Sequence, residues 1–285
     1  MSDSNISGES SILEERRKKL EELREQNIAY INNYIPANSS KDLHDAYGHL
    51  DKEDLESKKI TNLSLAGRIV LKRVMGNASF VTIRDGSGDI QAYITKNNID
   101  PDLYKNFKTW DLGDIIGVGG NLFKTKTEEL TVEAHSIILI TKALRPMPEK
   151  HKGLADIEIK YRQRYLDLMS SPESKEVFEK RSRIVSSVRS TMLEDGFLEV
   201  ETPMMHSIPG GAVARPFVTQ HNALDRKLFL RIAPELHLKR LLIGGFEKVF
   251  EINRSFRNEG LSTRHNPEFT MLEFYAAFAT FNGTL

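Results

Sequence analysis

The stretch FRNEGLSTRHNPEFTMLEFY, residues 256–275, decides the reading of this chain. With the residues before it, it makes two alternating runs joined by a short polar loop. From Val249 to Glu259 the odd positions Glu251, Asn253, Ser255, Arg257 and Glu259 are polar, while Phe250, Ile252 and Phe256 supply an apolar face that Arg254 interrupts. A strand sends successive side chains to opposite faces, so Arg257 and Glu259 are expected to point the same way. After the loop, Phe269, Met271, Glu273 and Tyr275 share one face by the same period of two. A hairpin of these runs gathers an arginine, two carboxylates and two aromatics on one sheet, which suits a charged, planar ligand better than a core.

This stretch resembles motif 2 of the class II aminoacyl-tRNA synthetases, and the wording RHNPEFTMLE followed by Tyr275 is similar to the lysyl-tRNA synthetase form. The aspartate and asparagine relatives keep the arginine and the EF pair among different neighbours. The resemblance implies that Arg257 contacts the ATP α-phosphate and the amino-acid carboxylate. A planar, permanently charged fork that holds two oxygens at once suits that role. The resemblance also places Glu259 and His265 near the adenine and phosphates, Asn266 in the loop region, and Phe269 stacked under the adenine ring. Taken alone, Phe269 reads equally well as core packing.

A lysine ε-ammonium held in a pocket needs compensating negative charge and hydrogen-bond acceptors. Glu273 and Tyr275 meet that need. So does Glu235 in RIAPELHLKRLL, residues 231–242, which resembles the family's APELYLK segment, whose glutamate helps bind substrate lysine. Aspartate and asparagine relatives tend to carry glutamine there. Read alone, Glu235 is a first-turn helix residue after Pro234, favoured by the helix dipole. Gly210 and Gly211 in PGGAVARPF, residues 209–217, resemble the glycine loop that closes over the substrate amine, although two adjacent glycines by themselves are a turn signal.

GFLEVETPMM, residues 196–205, resembles motif 1, a helix followed by a strand ending at Pro203, and so implies a homodimer interface. The helix before it is readable directly. Ser171 can cap, Pro172 suits the first helical position, and Val177, Phe178, Ile184, Val185, Val188 and Met192 recur at helical spacing. By itself such a stripe means core packing.

Composition bounds the rest. A chain of 285 residues is long for one domain and suits two. Cysteine is absent, which excludes disulfides and thiolate-bound zinc. No long apolar run or signal-like start is visible, so the expectation is a cytoplasmic protein with no membrane partner. Forty lysines and arginines balance forty aspartates and glutamates, so overall charge says nothing of nucleic acid and any RNA contact must be local.

Residues 1–10 read as a disordered tail and 11–58 as a helical region. That region opens with a charged helix from Ser11 to about Tyr30, thinly striped by Ile12, Leu13, Leu20 and Leu23. Lysyl-type synthetases often carry a basic N-terminal helix that assists tRNA binding, but here acids nearly cancel the bases. Residues 59–142 hold five β-rich runs, NLSLAGRIVLKRV, ASFVTIRD, DIQAYIT, DIIGVGGNLF and ELTVEAHSIILIT, parted by turns containing Asp-Gly, Asn or Gly. Five short strands suggest a small barrel. Its order and place resemble the anticodon-binding OB-fold of the aspartyl, asparaginyl and lysyl subgroup.

Within that barrel, period two sends Val81, Ile83, Ile90, Ala92 and Ile94 inward and Phe80, Thr82, Arg84, Gln91 and Tyr93 outward. An exposed aromatic beside polar groups is a base-stacking platform, though a single outward phenylalanine is common. By resemblance, Phe80 matches an anticodon-stacking phenylalanine and Gln91 a base-reading glutamine. Arg68, Arg73 and Glu129 join the implied anticodon set.

Residues 143–159, with Arg145, Pro146, Pro148 and Gly153, read as a linker. Residues 160–285 read as a partial class II catalytic domain that starts near RYLDL, residues 164–168. The expected fold class is α+β: an N-terminal helix and an OB-fold β-barrel, followed by an antiparallel-sheet synthetase domain. The resemblance implies lysine-tRNA ligase chemistry, the ATP-dependent activation of lysine to lysyl-adenylate and its transfer to tRNA(Lys), with ATP and Mg2+. No motif 3 is visible before Leu285, the family's magnesium-binding acids fall outside these residues, and AAFATFNGTL departs from the family's YADYND-like continuation. The chain alone is therefore expected not to form lysyl-adenylate. Two alternatives stay open: a non-catalytic tRNA-binding or RNA-binding protein that uses the barrel, and an aspartyl-type enzyme, which Glu235, Glu273 and RHNPEFTMLE disfavour.

Overall fold

The computed structural model describes residues 3–147, 156–260, 262 and 264–280. The chain divides into two compact units, Met1–Ile157 and Glu158–Leu285. Part of the expected linker, residues 148–155 with Pro148 and Gly153, lies outside the described residues, as do residues 1 and 2 of the expected tail.

In the first unit, β1 (Leu63–Met75), β2 (Ala78–Arg84), β3 (Asp89–Thr95), β4 (Ile115–Lys124) and β5 (Leu130–Thr141) close a barrel in the order β1-β2-β3-β5-β4. Alternation sorts its residues. Val81, Ile83, Ile90, Ala92 and Ile94 are buried and join Leu65, Ile69, Ile116 and Val132 in one core. Only β3 and β5 pair in parallel, and a parallel pair needs a crossover. That crossover contains α4 (Pro101–Thr109), a helix absent from the sequence reading. Asp100 caps it through the Asp102 and Leu103 amides, and Tyr104 and Phe107 fill the barrel end.

Three helices precede the barrel: α1 (Asp3–Glu25), α2 (Ser40–Tyr47) and α3 (Lys52–Lys58). α1 starts before Ser11 and ends before Tyr30. Two of its basic residues turn toward the barrel rather than outward. Arg16 donates to the carbonyls of Ala143 and Arg145, and Lys19 reaches Asp111 at 3.1 Å. Beside them, buried Lys142 bridges Asp111 and Asp114 at 2.6 and 2.7 Å.

The second unit contains α5 (Ile157–Arg162), α6 (Arg164–Ser170), α7 (Pro172–Glu194), β6 (Leu198–Glu199), β7 (Met205–His206), β8 (Val218–His221), β9 (Arg226–Leu230), α8 (Glu235–Ile243), β10 (Lys248–Phe256) and β11 (Glu268–Ala276). Antiparallel β10 and β11 carry parallel β6 on the β10 edge, while β7, β9 and β8 make a second small sheet. The start of α7 follows the sequence reading, with the Ser171 hydroxyl accepting from the Ser174 amide and Pro172 at the first position. Its apolar stripe does not. Val177, Phe178, Ile184 and Val188 are exposed, Phe178 by 44% and Ile184 by 63%, and of the stripe only Met192 is buried. Periodicity identified the apolar side correctly, but among the described residues no layer covers it. No helix of the described residues is long and apolar enough to cross a membrane.

The turn between β2 and β3 anchors α2. The Asp85 carboxylate accepts the Ser40 amide at 2.6 Å, the Ser40 hydroxyl at 2.8 Å and the Ser87 amide at 2.6 Å. Burial pushes this carboxyl up, but the hydrogen bonds from Ser40 and Ser87 outweigh it and bring it to about 2 from the usual 3.8. A folded value below the unfolded one means stability that is present above pH about 4 and lost as pH falls toward 2. Melting temperatures of the wild type and Asp85→Asn should therefore differ most near pH 5 and converge by about pH 2. A constant gap would show that the ionised carboxylate is not the stabilising species.

Candidate functional site

On the outer barrel surface a cleft of about 300 Å³ is lined by Arg73, Phe80 and Gln91 together with Leu71, Thr82 and Thr125. Pairing explains the grouping, because Arg73 lies opposite Phe80 and Thr82 opposite Gln91. The Phe80 ring does not stand alone. Tyr93 packs on it with ring centroids 4.8 Å apart, and Phe123 meets Tyr93 at 6.1 Å. Gln91 is held in orientation by the Thr131 hydroxyl, which donates to its Oε1 at 3.0 Å.

The other two residues of the expected anticodon set sit differently. Arg68 does not line the cleft, since its guanidinium donates to the Gly113 carbonyl at 2.7 Å. Glu129 is at the exposed β4–β5 turn, where its backbone pairs with that of Thr125 beside the cleft.

In the second unit the register of β10 and β11 sets Glu251 opposite Glu273 and Ser255 opposite Phe269, so the odd residues of both strands share a face. The β10 half of that face is core, not ligand surface. Glu251 is 1% exposed and bonded to the fully buried Arg231 at 2.6 Å and to the Thr202 hydroxyl at 2.7 Å. The polar alternation in this strand therefore encodes a buried ion pair. Two carboxylates directly opposite each other repel, and Arg231 neutralises one of them.

Arg257 follows the end of β10, and its amide still bonds to the Pro267 carbonyl at 2.9 Å. Its guanidinium lies 5.2 Å from the centre of the Phe269 ring, and its Nε is buried with no hydrogen-bond partner among the described residues. Glu259, like Arg257, falls beyond β10, so the strand alternation expected to pair them ends at Phe256, and Glu259 is exposed in the connection. His265 and Asn266 are exposed in the same connection, with His265 Nδ1 2.7 Å from the Ser262 hydroxyl.

The residues expected around a lysine side chain do come together. Gly211 has φ +89°, and a Cβ there would stand 3.0 Å from that of Glu235 and 3.3 Å from that of Ala233. Only glycine combines that backbone angle with so close an approach. Glu235 opens α8 directly after Pro234. On β11 the Tyr275 hydroxyl donates to Glu273 at 2.6 Å. Burial raises the Tyr275 hydroxyl well above its usual value, and the Glu273 and Glu235 charges raise it further. Lys239, which the sequence reading passed over, pairs with Glu235 at 2.5 Å. No group of three or more histidines and acids placed for a metal ion exists among the described residues.

Residues 156–285 match the family model described as tRNA synthetases class II (D, K and N), and residues 63–140 match the OB-fold nucleic acid binding domain. A class II tRNA synthetase domain is present behind an OB-fold. The chain is 59% identical over 273 residues to a lysine-tRNA ligase of Chromobacterium violaceum, covering 96% of this chain and 54% of that protein. It is 57% identical to that of Methylobacillus flagellatus, covering 96% and 53%. Against that of Azoarcus sp. (strain BH72) it is 56% identical over 289 residues, covering 100% and 58%. The chain thus spans about half the length of the curated relatives it matches.

Within the synthetase domain the Arg231–Glu251 pair is the most exacting requirement. Removing one partner of a buried pair leaves an uncompensated charge, so Glu251→Gln should lower stability by about 3–5 kcal/mol in urea unfolding. The double variant Glu251→Gln with Arg231→Met should recover most of that loss, because neither charge remains. A single-variant loss below about 1 kcal/mol would show that Arg231 finds another acceptor.

Proposed function

We propose that this chain serves lysine-tRNA ligation, in which lysine is activated with ATP to lysyl-adenylate and transferred to tRNA(Lys). The observation that carries the proposal is the convergence of Gly211, Glu235, Glu273 and Tyr275 into one acidic seat at the β11 end of the hairpin that also carries Arg257. The identities to lysine-tRNA ligases point the same way. The lysine ammonium would be received by Glu235, Glu273 and the Tyr275 oxygen, with Gly211 leaving room for the backbone amine. The fork of Arg257, free of carboxylate partners among the described residues, would hold the substrate carboxylate and the α-phosphate as they approach. Phe269, packed by Arg257, is the ring offered to adenine, and Glu259, His265 and Asn266 form the connection that would fold over ATP.

An oxygen of the lysine carboxylate attacks the α-phosphorus and pyrophosphate leaves. No covalent enzyme intermediate is needed, so positioning and charge stabilisation carry the step. Mg2+, which the family likeness implies, would neutralise phosphate charge. The described residues offer it no ligand cluster, and none of the roles above depends on it.

In the same proposal the barrel cleft takes the tRNA anticodon, with a base stacked on Phe80 and read by Gln91 while Arg73 meets the backbone. Arg68 and Glu129 would contribute from its margins. The uncovered apolar stripe of α7 supports a homodimer through motif 1, and the setting proposed is the cytoplasm.

Two measurements test these assignments. Phe80→Ala should weaken binding of an anticodon stem-loop by about 1–3 kcal/mol at fixed salt, and unchanged binding would remove Phe80 as the platform. Glu273→Gln keeps shape and removes charge, so L-lysine affinity should fall about tenfold or more while ATP affinity holds. Equal losses for both ligands would point to a folding defect instead.

A further inference from the structure

The acidic seat must be balanced before any substrate arrives. Of the two opposed glutamates on the hairpin face, Glu251 has Arg231. Glu273 has the Tyr275 hydroxyl and, among the described residues, no cation within ion-pair distance. The described ammonium nearest this seat is that of Lys239. Its Nζ lies 2.5 Å from Glu235 Oε1 and 5.6 Å from the centre of the Tyr275 ring. A glutamate and lysine four residues apart are an ordinary helix-surface pair. The tyrosine is not part of that pattern, because it comes from β11. A carboxylate on one side and an aromatic ring on the other are the contacts an incoming lysine ammonium would need.

We propose that Lys239 is an internal surrogate for the substrate: in the free protein its ammonium occupies the Glu235 carboxylate, and lysine binding displaces it. The inference rests on the lysine-binding reading given above. Displacement is feasible because the pair is held loosely, with the Lys239 side chain 51% exposed and Glu235 29% exposed. It is also selective. A ligand with a terminal ammonium replaces the contact that it breaks, whereas an isosteric ligand with an apolar end would leave Glu235 without a cation. Lys239 therefore lowers affinity for lysine slightly, while Glu235 supplies the discrimination against apolar analogues.

The test is titration of the 285-residue chain with L-lysine and L-norleucine, in the wild type, Lys239→Met, Glu235→Gln and Lys227→Met. Lys239→Met should bind lysine about 2- to 5-fold more tightly, the range set by the weakness of exposed ion pairs, and should discriminate against norleucine as the wild type does, because the broken pair costs both ligands alike. Lys227→Met removes the same charge from exposed β9 and should change neither value. A second readout does not depend on affinity. With the lysine amines reductively dimethylated using 13C-formaldehyde and a borane reductant, the Lys239 methyl resonance should move to the position of a free side chain on adding lysine. Lysine binding by Lys239→Met equal to or weaker than wild type, or a Lys239 signal that lysine leaves unmoved, overturns the inference. If wild type and Glu235→Gln alike fail to bind lysine, the lysine-binding reading fails first and takes this one with it.

Discussion

The buried pair of Arg231 and Glu251 is the constraint on which the synthetase domain depends. A guanidinium in the interior is costly unless its protons are used; Arg231 donates to Glu251, to the Thr202 hydroxyl and to the Arg254 carbonyl, while its Nη2 has no partner among the described residues. Those acceptors belong to two separate stretches: β10, which carries Glu251 and Arg254, and the segment after β6, which carries Thr202. One side chain thereby ties β10 to the segment after β6. The Thr202 hydroxyl relays the arrangement, donating to Glu251 while accepting from Arg231.

The same pair divides the labour between two carboxylates that the register sets face to face. Glu251 is neutralised and structural. Glu273, across the ladder, meets only the Tyr275 hydroxyl among the described residues and has no cation paired with it there. Without Arg231 the two carboxylates would repel across the ladder. In the proposed role, the negative charge offered to a lysine side chain depends on a buried cation that holds the other carboxylate of the same face.

How much of this was legible in the sequence follows from what periodicity can encode. The five barrel strands were readable because apolar alternation and turn residues agree along every run. α4 was legible but unread: Leu103, Tyr104, Phe107 and Trp110 stand at helical spacing, and Asp100 followed by Pro101 is a start signal. Arg68 and Arg73 looked equivalent, but β1 shifts register between Ile69 and Leu71. That irregularity changes the phase of the strand, so Leu71 and Arg73 line the cleft while Lys72 turns to the carbonyls that end α4. In β10 the pattern was read correctly and its meaning was not, since a polar alternation looks the same whether water or a buried arginine faces it. The stripe on α7 is the converse, an apolar pattern whose cover lies in no described residue.

Equal numbers of acidic and basic residues conceal how unevenly the charge is deployed. Arg16, Lys19 and Lys142 are engaged with Asp111, Asp114 and backbone carbonyls at the foot of the barrel, and Arg231 is spent inside the second unit. Among the described residues the barrel cleft retains Arg73 as its only charged lining residue, beside the Phe80 ring, the Gln91 amide and threonine hydroxyls. Such a surface gains little from counterion release and much from stacking and hydrogen bonds. A neutral chain can therefore carry a nucleic-acid site, provided that recognition falls on bases more than on phosphates.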